Sequence, residues 1–89
     1  MARILASLKI FPSDIEVSLD SLRTEIKKAL PTYASVYEFE EEPIAFGLVA
    51  LIAHILLPED KPGGIDEIEV SLQKLKHVGE LQTQIVRRV

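Results

Sequence analysis

Leu48-Val49-Ala50-Leu51-Ile52-Ala53-His54-Ile55-Leu56-Leu57 is the stretch on which the fold turns. Every position except His54 is apolar, so neither alternation nor a helical stripe picks out a solvated face. The run is short and bounded by Gly47 and Pro58, which suits a strand. A strand that is apolar on both faces belongs in the middle of a sheet. His54 breaks the symmetry. By parity it assigns Ala50, Ile52 and Leu56 to the more open face and leaves Val49, Leu51, Ala53, Ile55 and Leu57 for the core.

Immediately upstream, Glu40-Glu41-Glu42-Pro43-Ile44-Ala45-Phe46-Gly47 joins this strand to an earlier run, Ser35 to Glu42. That run is expected to carry Tyr37 and Phe39 on one face and Glu38, Glu40 and Glu42 on the other. Carboxylates in line are tolerated best where water reaches them, which places the run at a sheet edge. Pro43 lacks a backbone N–H and is expected to interrupt pairing, while Gly47 admits backbone angles closed to other residues. The chain is expected to reverse between them. Such a turn is normally polar, yet it holds Ile44 and Phe46. Either these fold back to cap the open end of the core, or Phe46 is a wedge offered to a partner. Large apolar residues of small domains are mostly core, and residue chemistry alone favours the cap.

Working outward, Arg3 to Phe11 alternates, with Ile4, Ala6, Leu8 and Ile10 on one side and Arg3, Ser7 and Lys9 on the other: a half-buried strand. Pro12-Ser13-Asp14 ends it. Leu19, Leu22, Ile26, Ala29 and Leu30 then recur at helical spacing, with Ser18 as the expected N-cap, Asp20 in the first turn, Lys27 and Lys28 in the last, and Pro31 as the stop. Beyond the central strand, Glu59 to Gly64 is a charged turn. A second helix is predicted from about Asp66, with Ile65, Ile68, Leu72 and Leu75 as its buried stripe. Gly79 follows its end, and Leu81, Thr83 and Ile85 alternate with Gln82 and Gln84 in a last strand that reaches Arg87-Arg88. The order is strand, helix, strand, strand, helix, strand. With right-handed crossovers this is the α+β, ferredoxin-like βαββαβ sandwich, a four-stranded antiparallel sheet with two helices on one face, in a single domain 1–89.

Composition narrows the function. The formal charge of −4 over 89 residues opposes general nucleic-acid binding, which needs clustered cations to neutralise phosphates. The chain has no cysteine, so disulfides and thiolate chemistry are excluded, and an intracellular, soluble protein is expected. Met1 to Ile10 reads as a strand rather than a signal peptide, and the apolar run from Ile44 to Pro58 is too short to span a membrane. His54 and His77 lie on different elements with no patterned carboxylates beside them, so neither a catalytic role nor a metal is expected. Glu38, Glu40, Glu41 and Glu42 lack calcium-loop spacing and alternate between faces, which describes a solvated edge. Gly63-Gly64 precedes a helix without the rest of a P-loop and reads as a turn. The sheet face without helices, carrying Leu5, Phe11, Ala50, Ile52 and Leu56, is expected to expose enough apolar surface to need a protein partner. RNA-recognition domains share this topology, but nothing here supplies their stacking aromatics.

The string from Glu40 to Leu48, followed by Ala50-Leu51, closely resembles the archaeal elongation factor 1-beta family. Leu8-Lys9-Ile10 with Pro12, Glu25-Ile26-Lys27-Lys28-Ala29-Leu30-Pro31, Gly63-Gly64 and Val86-Arg87-Arg88 extend the resemblance over essentially the whole chain. The family has the fold reached above. The resemblance implies a cytoplasmic guanine nucleotide exchange factor for the GTPase elongation factor 1-alpha in translation elongation, without cofactor, membrane or direct nucleic-acid contact. It implies that Phe46 enters the partner, that Gly47 exposes it, and that Pro43 and Ile44 shape the loop. Eukaryotic relatives also use a basic residue near the C-terminus to disturb the magnesium site. No lysine matches it here, and Arg87 and Arg88 are the nearest basic groups. Two departures from the family pattern are Val49-Ala50, where many members carry lysine, and Ile85, where an aspartate is usual. The competing reading is a ferredoxin-like ligand-binding or regulatory module that dimerises through the open sheet face.

Overall fold

The computed structural model describes residues 2–89; Met1, counted above in the domain and in the first apolar run, lies outside them. Its elements are β1 (Arg3–Pro12), α1 (Leu19–Ala29), β2 (Ser35–Ala45), β3 (Leu48–Pro58), α2 (Gly64–Gln73) and β4 (Val78–Arg88). The sheet is antiparallel in the order β2-β3-β1-β4, the ferredoxin-like arrangement. As the patterning requires, β3 and β1 are central and the glutamate-rich β2 is an edge. Both helices lie on one face. Leu22 and Ile26 of α1 and Ile68 and Leu72 of α2 pack into one core with Ala6, Leu8, Ile10, Leu51, Ala53, Ile55 and Leu57.

Helix ends follow local chemistry. Ser18 Oγ accepts the N–H of Ser21, and Pro31 follows the extended residue Leu30 that ends α1. α2 starts two residues earlier than predicted. Gly63 takes a left-handed conformation (φ 71°) as its cap, and Gly64, read from the sequence as part of the turn, is buried in the first turn. A side chain at Gly64 would meet Leu57 Cδ1 at 2.9 Å, so glycine lets this helix end sit close to the sheet.

Two bulges change which residues share a face. In β2, Val36 pairs with Ile55 and Glu38 with His54, so Tyr37 is the extra residue. Val36 and Phe39 therefore both face the core, while Tyr37 is 69% exposed. The expected pairing of Tyr37 with Phe39 on one face is wrong, because strict alternation cannot bury both Val36 and Phe39. In β4, Ser7 pairs with Ile85 and Leu8 with Thr83, leaving Gln84 extra. Ile85 thus lies on the face opposite Leu81 and Thr83, against the predicted alternation.

The helix-free face is also less wet than expected. Leu5 and Ala50 are buried on it. Lys9 of β1 pairs with Glu42 of β2, and the pair necessarily crosses over β3 at Ala50. The lysine stem and the Phe11 ring below its ammonium, 5.4 Å away, shield apolar surface that the sequence left open.

Candidate partner-binding loop

Alternation carries β2 past its glutamates and through Pro43, which pairs with Val49. Pro43 does not interrupt the strand. An edge strand presents one row of amides to solvent, so the missing N–H costs no ladder bond there. Ile44 is a second bulge between the pairs Pro43–Val49 and Ala45–Leu48. The reversal is then tighter than the predicted span, a two-residue turn of Phe46 and Gly47. Both have positive φ, 52° and 83°, as a type I′ hairpin turn requires. Gly47 adopts this freely. Phe46 is the one non-glycine residue with positive φ among the described residues, and a side chain there meets the strain that such turns normally avoid with Asn, Asp or Gly.

The strained turn carries Phe46 outward to 99% exposure, and Ile44 beside it is 40% exposed. The core-cap reading is overturned for Phe46, which touches no core. A shallow cavity of about 70 Å³ behind the tip is lined by Ile15 and Val17 from the β1–α1 connection, by Leu19 at the start of α1, and by Gly47, Leu48 and Val49. Ile15 is 63% exposed, and it joins Ile44 and Phe46 at this end of the molecule. Ile15 belongs to no periodic pattern, and its one signal in the sequence is an apolar residue directly after the Pro12-Ser13-Asp14 break.

Arg87 and Arg88 lie elsewhere. Leu5 pairs with Arg87 and Ile4 with Arg88, at the end of the sheet where β1 begins. Along β3 that end is nine residues from Leu48, roughly 30 Å from the hairpin tip. The arginines also point to opposite faces. Arg88 is ion-paired with Glu59, its Nε 2.7 Å from Oε1. Arg87 lines a groove of about 290 Å³ with Arg3, Leu5, Tyr37, Leu56 and Val89. The structure brings together Pro43, Ile44, Phe46 and Gly47, and keeps both arginines apart from them and from each other.

The histidines also depart from expectation, since each has a carboxylate partner. His54 Nε2 lies 2.5 Å from Glu40 Oε2, and His77 Nδ1 lies 2.8 Å from Glu25 Oε2. The Glu40 and Glu25 carboxylates come from strands and helices distant in sequence, which spacing along the chain does not show.

Residues 5–89 match the family model described as the EF-1 guanine nucleotide exchange domain. The chain belongs to that family. It is 37% identical over 89 residues to the elongation factor 1-beta of Staphylothermus marinus, covering 100% of this chain and 99% of that one. It is 40% identical over 89 residues to the protein of the same name from Methanobrevibacter smithii, with the same coverage of 100% and 99%. The Sulfolobus acidocaldarius protein is 41% identical over 86 residues, covering 97% and 96%. Among solved structures, the C-terminal domain of the MgtC protein from Mycobacterium tuberculosis superposes with a TM-score of 0.67 over 91% of this chain and 85% of that one. At 13% identity it shares the fold alone. Guanine nucleotide exchange in translation elongation is the role of this family, and the fold expected from the resemblance is the fold observed. Among the described residues no helix is long and apolar enough to cross a membrane.

Proposed function

We propose that this protein promotes GDP release and GTP loading on elongation factor 1-alpha in the cytoplasm, with Phe46 as the side chain it inserts into that GTPase. The observation that carries this reading is an aromatic ring held fully in solvent by backbone angles unfavourable to it. Burying such a ring is worth about 1.5–3 kcal/mol, a gain the isolated protein forgoes and a complex would recover. Gly47, Ile44 and Pro43 serve as its mount. Arg87 and Arg88 would engage the partner at a second, distant point.

Exchange needs no nucleophile or acid–base pair. A protein that binds the empty GTPase more tightly than its nucleotide-bound form weakens nucleotide affinity by the same factor, because the coupling is reciprocal. Excess GTP then completes the cycle by mass action.

The test is release of a fluorescent GDP analogue from the cognate GTPase. Phe46→Ala is expected to lower the stimulated rate at sub-saturating protein by about tenfold or more, the loss of an aromatic contact of that size. Release as fast as wild type would refute the wedge.

A further inference from the structure

We infer that His54, Glu40 and Glu38 form a binding site for a borderline divalent cation, of the Zn²⁺ class, on the helix-free face of the sheet. The bulge at Tyr37 creates it. Without that extra residue Tyr37 would stand opposite His54, and Glu38 and Glu40 would turn toward the core. With it, Glu38 is directly paired with His54 and Glu40 follows on the same face. One donor atom from each of the three residues falls within 4.8 Å of the others. Donors bound to one ion through about 2 Å bonds lie about 3–3.5 Å apart, a spacing that rotation of the exposed Glu38 and Glu40 side chains reaches from here.

The donor chemistry selects the ion. An imidazole nitrogen with two carboxylates suits Zn²⁺, Co²⁺ or Ni²⁺, whereas Ca²⁺ and Mg²⁺ prefer oxygen throughout. Three protein ligands leave the remaining position to water. Support comes from below. Ser7, the buried polar side chain of the described residues, sits directly opposite His54, with its Oγ 2.7 Å from Nδ1. Without an ion, the His54–Glu40 contact is an Nε2–H donating to the Glu40 carboxylate. In the metal-binding tautomer Nδ1–H donates to the Ser7 hydroxyl instead, and Nε2 exchanges Glu40 Oε2 for the ion, the arrangement found in histidine ligands held by an outer hydrogen-bond partner. Among the described residues no lysine or arginine pairs with Glu38 or Glu40. Lys9 is engaged by Glu42 and Arg23 by Asp20 and Glu41, and Glu38 has no cationic partner among the described residues.

The experiment is titration of the full chain with ZnCl₂, followed by the ¹⁵N shifts of the histidine rings and by calorimetry. Saturable one-to-one binding with the coordination shift at His54 Nε2 is expected. Glu40→Gln, a change at an exposed position that leaves the core intact, should weaken binding at least tenfold. Ser7→Ala should weaken it by roughly ten- to a hundredfold while leaving all three ligands in place. The inference is overturned by the absence of a His54 shift at millimolar Zn²⁺, by unchanged affinity in Glu40→Gln, or by a response confined to His77.

Discussion

Phe46 stands where local preference and exposure both argue against it. The left-handed region costs a side-chain-bearing residue about 1–2 kcal/mol, and the exposed ring gains nothing in return within the chain. Phe46→Asn places in the turn a residue that tolerates positive φ. It is expected to raise stability by about 0.5–1 kcal/mol, read as a higher denaturant midpoint with an unchanged slope, while stimulated nucleotide release falls. A variant that loses stability would show that the ring supports the fold after all. The identity of the tip was legible in the sequence as a misplaced aromatic. Its outward direction was not, because periodicity has no hold on a two-residue turn.

At the scale of elements, the connections are held by close backbone approach as much as by side chains. Gly79 of β4 passes the end of β1 so closely that an added Cβ would lie 3.0 Å from the Pro12 carbonyl oxygen and 3.1 Å from Ser13 Cα. The Ser13 N–H donates to the His77 carbonyl at 2.8 Å and fixes that approach. Backbone cannot step aside as a side chain tip does, so Gly79→Ala is expected to cost about 1–3 kcal/mol, measured by chemical denaturation. A near-neutral result would mean that the β1–α1 connection yields. The sequence placed Gly79 at a helix end, and its contact with a segment more than sixty residues earlier belongs to the pairing of β4 with β1.

The whole molecule extends 42 Å along its longest axis, with the hairpin tip toward one end and Arg87 and Arg88 toward the other. Contacts so far apart with no shared neighbour contribute independently. The losses in affinity for nucleotide-free elongation factor 1-alpha caused by Phe46→Ala and Arg87→Ala are therefore expected to add to within about 0.5 kcal/mol in a double-mutant cycle. A coupling above about 1 kcal/mol would require one mobile element in the partner to read both ends. The same geometry separates the metal inference from the wedge, since Glu40→Gln lies between the two ends and changes a different measurement.

By itself the sequence determined the element order, the central place of β3, the acidic edge of β2, both helices and the cap at Ser18, because each is written in patterns a few residues long. It also carried the family, through the string around Phe46. The tertiary structure decided what depends on register. The bulge at Tyr37 put that residue on the face away from Phe39, the bulge at Gln84 put Ile85 on the face opposite Leu81 and Thr83, and the sheet set Ser7 beneath His54. Alternation counts residues along one strand, and a bulge is seen only when the neighbouring strand supplies the count to compare with.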